Sequence, residues 1–387
     1  MARTDLHWDP ASPAARQDQI AAYDAQRRKC PVALSEPLGW SLLGHAEVMR
    51  ALLDHATFSN AVSAHPAVPN GMDPPEHTGF RAVVDRYFGP EAMAGFEPTC
   101  RRIADTLAAR LTDGEVELMS GLAEDFALEA QCAFMGWPES LHEPLRQWTR
   151  RNADATRARH PEATAGVAQL FAGYVGAELD ARRAAGAAAP DDPTTRLLAE
   201  RVGGRPLTDA EIVSIVRNWT VGELGTIAAS IGIVAHYLAG HPPLQDALRA
   251  DPSDLPAAID EILRIQAPLI ANRRVTARPV EVAGQRLGAG ERVTLIWASA
   301  NRDEAVFGDP DAFDPDRNAA RNLLYGAGIH VCPGAPLARL ELRLVVEALL
   351  ARTRAIRPSD RPPVLAVYPS SGFATLPLRI ETAGDRG

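Results

Sequence analysis

Lysine is almost missing from this chain. Lys29 is the only one in 387 residues, and arginine carries nearly all the positive charge. We read that as coding bias towards GC-rich codons rather than as chemistry. The formal net charge of −9 argues against nucleic acid or an anionic membrane surface as partner, since both select basic faces. Cysteine is scarce too: Cys30, Cys100, Cys132 and Cys332 form neither a CxxC pair nor a Cys/His cluster with zinc spacing. So few thiols in so long a chain argue against a disulfide framework and for a reducing cytosol. The amino terminus, MARTDLHWDPASPAARQDQ, lacks a basic leader and an apolar run. Neither signal peptide nor membrane anchor is expected, and the expected location is cytoplasmic. No long linker and no internal repeat divides the chain, so residues 1–387 are expected to form one large unit.

What is present is helical periodicity, from about Ala15 to Arg264. GHAEVMRALLDHATF, EPTCRRIADTLAARLT and SGLAEDFALEAQCAFMGW space apolar residues three or four apart. The longest pattern begins at LTDAEIVSIVRNW, where Thr208 and Glu211 make a capping box, and it stops at Pro242. It is apolar over much of its circumference and should be buried. Gly222 and Gly225 lie in its middle, where each costs roughly 1 kcal/mol relative to alanine. They point to close approach of another body, local opening of the helix or tight helix–helix packing. After Arg264, RRVTARPVEVAGQRLGAGERVTLIW alternates apolar and polar residues and reads as short strands. ANRDEAVFGDPDAFDPDRN is an irregular meander, and a last helix runs from about Ala335 to Arg352 before a strand-like tail. The chain is therefore mainly α with small β-sheets.

Cys30, Cys100 and Cys132 read as small buried hydrophobes. Cys332 differs, because Gly326, Gly328 and Gly334 permit backbone turns that crowd amides around one point. The helix after it aims its positive end at the sulfur and should lower the thiol's pKa. Such a sulfur suits a nucleophile, with His330 as a possible base, or a metal ligand.

YGAGIHVCPG resembles the haem-ligand loop of cytochrome P450 enzymes, Phe-x-x-Gly-x-His/Arg-x-Cys-x-Gly. Tyr325 stands in the phenylalanine position, and Gly328, His330, Cys332 and Gly334 match. Glu261 to Arg264 (EILR) matches the family's Glu-x-x-Arg, the meander matches that of soluble bacterial members, and DPPEHTGFR (Asp73 to Arg81) matches their third-helix motif. The resemblance runs from about Ala15 to the tail with its motifs in order. It implies a cytochrome P450-type fold, with a long central helix over haem b (iron protoporphyrin IX) and Cys332 as the iron's ligand. By the same resemblance His77, Arg81, Arg273, His330 and Tyr325 bind the cofactor. Glu261 and Arg264 form a structural ion pair under the meander. Asn218, Val221, Leu269 and Ile270 line the substrate pocket, and TFSNAVSAHPAVPNGM is a flexible wall.

The long helix departs from the family's Ala/Gly-Gly-x-Asp/Glu-Thr-Thr/Ser. It reads Val221-Gly222-Glu223-Leu224-Gly225-Thr226. The ungapped alignment makes Thr226 the alcohol and leaves Gly225 in the acid position; a rival one puts Glu223 at the acid and Leu224 at the alcohol. Glu223 is then a proton relay through water, or a side chain that merely satisfies a backbone or arginine partner. The implied function is a monooxygenase of secondary metabolism. It would act on a small organic substrate with electrons from a ferredoxin and its reductase, docked near Arg339 and Arg343. The altered acid position keeps open oxidative cross-linking, peroxide-driven oxidation and, in another class, a haem-binding module that recruits substrates without oxidising them.

Overall fold

The computed structural model describes residues 6–63, 67–158 and 161–384. Its longest element is Asp209–Gly240, a single α-helix of 32 residues, about 48 Å at 1.5 Å per residue. Thr208 opens it with a complete capping box: its side chain accepts from the Glu211 amide while the Glu211 carboxylate accepts from Thr208. Arg205 and Thr208 hold the Glu211 carboxyl down to about 2. The helix is the one described segment long and apolar enough to cross a membrane, yet 67% of its most apolar window is buried within the protein, as suits a core helix.

Around it pack Glu124–Met135, Leu255–Ile265 and the C-terminal helix Ala335–Arg352, which lies in turn along Pro90–Ala108. Their apolar faces join in one large cluster that includes Phe126, Ile215, Ile231, Ile262, Leu344 and Val345. The strands are few and short. Val32–Ser35, Gly39–Leu42, Arg292–Ile296, Ala271–Thr276 and Phe58–Ser59 form one sheet in that spatial order. Strands 353–358, 377–382 and 114–117 form another.

The ion pair at Glu261 and Arg264 ties the last third of the chain together. Arg264 is fully buried, and its Nε and Nη2 donate to the two Glu261 oxygens at 2.8 and 2.9 Å. Its remaining donors reach the carbonyls of Asn301, Pro310 and Ala312. Glu261 Oε1 also accepts from the Asp314 amide and from Asn318 Nδ2. One helical turn therefore supplies most of the hydrogen bonds that an irregular, proline-rich meander cannot make with itself.

Candidate functional site

The cysteine loop is shaped by its glycines. Gly328 has φ +70°, and a Cβ there would stand 2.5 Å from the Leu52 carbonyl oxygen, so no other residue fits. The Cys332 amide donates to Tyr325 O at 2.8 Å and closes the loop. Cys332 itself is exposed on one side, with protein crowding the rest of its sulfur. Burial pushes its thiol up, against the amides of Gly334 and Ala335, which pull it down. The expected lowering by the helix start is thus corrected: the amides are in place, and desolvation outweighs them.

Two histidines meet beside this loop. The rings of His77, on helix Glu76–Asp85, and His330 stand edge to face with centroids 4.4 Å apart. Both Nε2 atoms are buried without a hydrogen-bond partner. Burial, His77 and Arg274 together hold the His330 imidazole down to about 3. Arg81 spans from the same helix to the loop, donating to the carbonyls of Ile329 and Val331 and pairing with Asp85.

Arg273 does not join them. It is exposed, whereas Arg274 is 4% exposed, interacts electrostatically with Asp73 and His330, and among the described residues donates only to the Arg273 carbonyl. Neighbouring strand residues point to opposite faces, so only one of two consecutive arginines can reach the histidines. Burial lowers the Arg274 guanidinium to about 10. Tyr325 is turned to the side of the loop, with its hydroxyl on Asp260 at 3.4 Å and the Arg339 guanidinium stacked on its ring.

The middle of the long helix breaks its own pattern of burial. Val221 is 46% exposed, and Gly222 and Gly225 are exposed with nothing within 4 Å of an added Cβ. The helix is unbroken there, so both tight packing and local opening are corrected: the glycines face free space. Thr226 borders this stripe, its hydroxyl turned back to the Gly222 carbonyl. Glu223 points the other way. It is 8% exposed, and its Oε1 is buried without a hydrogen-bond partner among the described residues, as are both carboxyl oxygens of Glu341 on the C-terminal helix, whose pKa its charge raises. The Glu223 charge also acts on the Cys332 thiol, raising it.

The four expected pocket residues divide. Val221 and Leu269 are exposed. Asn218 Nδ2 donates to Val68 O at 3.0 Å, and the Val68 amide donates to Ser214 Oγ. The described part of the wall 57–72 is thus bonded to the long helix; Ala64, His65 and Pro66 lie outside the described residues. Ile270, at 1% exposure, packs in a core with Tyr23, Leu38 and Leu43, and it also borders a second cavity of about 410 Å³ with Gln19, Ile265 and Phe373. A cavity of about 290 Å³ opens against Gly225, Ala228 and Ala229, but its lining includes none of the four. Arg339 and Arg343 are less free than their sequence positions imply. They pair with Asp260 at 2.9 Å and with Glu97 at 2.8 Å.

Sequence reasoning missed Arg274 and Glu341. Arg274 follows from strand alternation once the buried face is known. Glu341 was marked in the sequence as a charge at the apolar phase of its helix, between Leu340 and Leu342, with Leu337 and Val345 one turn away.

An exposed sulfur, two histidines with unsatisfied ring nitrogens and a buried guanidinium that hydrogen-bonds to no carboxylate among the described residues suit a flat metal macrocycle bearing acidic groups. These residues fit a haem, with the sulfur towards iron and the nitrogen donors towards propionates.

Known proteins agree with that chemistry. The family model described as Cytochrome P450 matches residues 154–382. The erythromycin C-12 hydroxylase of Saccharopolyspora erythraea is 33% identical over 352 residues, covering 87% of this chain and 88% of that protein. The cyclomarin C epoxidase CymV of Salinispora arenicola is 31% identical, covering 87% and 88%. Among solved structures, the open cytochrome P450 EryK from S. erythraea superposes with a TM-score of 0.88 at 29% identity, covering 98% of this chain and 100% of that one.

Proposed function

Since this chain belongs to the cytochrome P450 family and is a haem-thiolate monooxygenase, we propose that it inserts one oxygen atom from dioxygen into a small organic substrate of secondary metabolism. We include in this reading haem b as the cofactor, a separate ferredoxin and reductase as electron donors, and a cytoplasmic setting. The observation that carries it is the exposed Cys332 thiol, two residues from His330, whose ring meets that of His77 and whose Nε2, like that of His77, is buried without a hydrogen-bond partner. When bound, a thiolate-ligated haem activates dioxygen and delivers one of its atoms to the substrate.

The chain's own residues do the rest. Cys332 supplies the sulfur. His77, His330 and Arg274 hold the propionates, with Arg81 bracing the loop through its two carbonyl contacts and Tyr325 through Asp260. Val221, Gly222 and Gly225 keep the face of the long helix clear, and Leu269 walls the pocket. Asn218, its amide nitrogen engaged by Val68, leaves its Oδ1 as the polar handle for a substrate. Thr226 offers a hydroxyl on the open stripe. Glu261 and Arg264 hold the meander under the site.

Replacing Arg274 should weaken haem retention about 10- to 100-fold, the equivalent of one charge-assisted hydrogen bond. Arg273→Ala should change it little. Haem transfer to an apo-globin acceptor measures both, and equal losses would return Arg273 to the site.

Labelled dioxygen tests the reaction. With ferredoxin, reductase and a panel of macrolide, terpenoid and peptide substrates, one labelled atom in the product supports insertion. A second reading is favoured by Gly225 standing where an acid is usual: peroxide-driven oxidation, or coupling of phenol or indole groups. Label arriving only from hydrogen peroxide would select the first, and an unlabelled cross-link the second.

A further inference from the structure

The cavity of about 290 Å³ against Gly225 has two unlike sides. Its floor is apolar, with Leu224, Gly225, Ala228 and Ala229 of the long helix beside Leu128 and Phe373. Gly225 is open to it, since a Cβ added there would meet nothing within 4 Å. The other side is a row of guanidiniums, Arg146, Arg150 and Arg157, all from helix His142–Ala158. At 3.6 residues per turn the spacing of 146, 150 and 157 puts them on one stripe of that helix.

This rim is cationic within the lining. Among the described residues Glu124 is its one carboxylate, with Oε2 3.6 Å from Arg146 and 3.4 Å from Arg150. The other acids that pair with these arginines, Asp125, Glu143 and Asp154, lie outside the lining. The three arginines are not equally engaged. Arg146 is anchored by Asp125 at 2.7 Å. Arg157 pairs with Asp154, an exposed acid on its own helix, and such pairs contribute little. Arg150 is exposed and has only the long contact to Glu124 among the described residues, which leaves most of its five donors unused.

We propose that the substrate of this enzyme is an apolar carboxylic acid, with its body on the floor at Gly225 and Ala228 and its carboxylate on Arg150, flanked by Arg146 and Arg157. The proposal deepens the monooxygenase reading and rests on it. A guanidinium fork meets a carboxylate in two parallel bonds. Arg150 and Arg157 reach solvent, so the carboxylate engages them without the cost of burying an ion. The small residues at 225, 228 and 229 leave room for the body, and Leu128, Leu224 and Phe373 take it out of water. Gly225 stands one turn beyond Gly222 on the open stripe and directly before Thr226 in the chain, so a body on this floor is continuous with the face kept clear for the reaction.

Calorimetric titration of the haem-loaded protein with aromatic acids of increasing chain length, from phenylacetate to phenylhexanoate, each beside its methyl ester, tests the assignment. The best acid should bind about 10- to 100-fold more tightly than its ester, the range for a hydrogen bond to a charged group. The preference should shrink as salt is raised. R150Q should abolish it and R157Q should reduce it by a smaller factor. Ester affinity should stay unchanged in both, which shows that the variants are folded. G225L fills the floor and leaves every arginine in place, so it should weaken acid and ester together; this separates the cavity from anion binding on the surface. Equal affinity for acid and ester throughout the series, a preference that survives R150Q, or acid binding untouched by G225L would each overturn the proposal. With labelled dioxygen, ferredoxin and reductase, the bound acid should gain one labelled atom. Acid that binds as expected but emerges unlabelled, while a neutral substrate gains label, would overturn the proposal as well. If no substrate at all gains label while the acid preference is present and is lost in R150Q, it is the monooxygenase reading that has failed.

Discussion

Cys332→Ser should give a folded protein whose ferrous carbonyl complex lacks the red-displaced Soret maximum of sulfur coordination and whose dioxygen-driven turnover drops to background. Cys332 is exposed and belongs to none of the apolar core clusters, so exchanging sulfur for oxygen removes little packing. Stability should therefore move by no more than about 0.5 kcal/mol. The loop does not depend on the side chain either. Its closure is the backbone bond from the Cys332 amide to Tyr325 O, and its turns rest on Gly326 and Gly328. Loss of activity with the fold intact is what separates an iron ligand from a structural cysteine. Carbonyl difference spectra, haem content and thermal unfolding of one preparation check all three points. A serine variant that keeps the sulfur-type spectrum would remove Cys332 from the iron.

The second large effect is on stability. Arg264→Ala should cost about 3–5 kcal/mol, the range for breaking a buried ion pair by deleting one partner. That is a large part of the 5–15 kcal/mol typical of a folded domain. The cost has two sources. Glu261 would keep only the Asp314 amide and Asn318 Nδ2 as donors to a buried charge. The carbonyls of Asn301, Pro310 and Ala312 would each lose the guanidinium. The Phe307 ring beneath the guanidinium, 4.7 Å away, would lose a cation–π contact as well. Replacing both charges by apolar residues, which often rescues a buried pair, should rescue only part of the loss, because those carbonyls remain unsatisfied. Urea unfolding of Arg264→Ala and of the double variant Glu261→Leu/Arg264→Met distinguishes the two sources. Full rescue by the double variant would show that the carbonyls contribute little.

Several features were legible from residues alone, and each has a local cause. The long helix carries its own capping box and its own proline stop, so the chain between them needed no tertiary information. The cysteine loop was readable because Gly328 must take a positive φ, and glycine takes it without strain. The order of the cysteine loop, Glu-x-x-Arg, meander and third-helix motif pointed to the family in which comparison with known proteins places the chain.

What sequence alone determined, then, were the helices, the glycine-turned cysteine loop and the family: properties written within one turn or one loop. Which faces meet was decided only by tertiary structure. Arg273 and Arg274 are equivalent in composition, and only the sheet partner selects the one that turns inward. Ile270 is apolar in either role, and only the fold shows that it both fills the amino-terminal core and borders a cavity. Glu223 could be read as a relay or as the partner of a backbone group or an arginine, and only the packing of two helices brings Glu341, distant along the chain, near it. Periodicity fixes the angle of a side chain about its own helix axis, but not what stands opposite, and for a buried carboxyl that neighbour decides whether it keeps its proton.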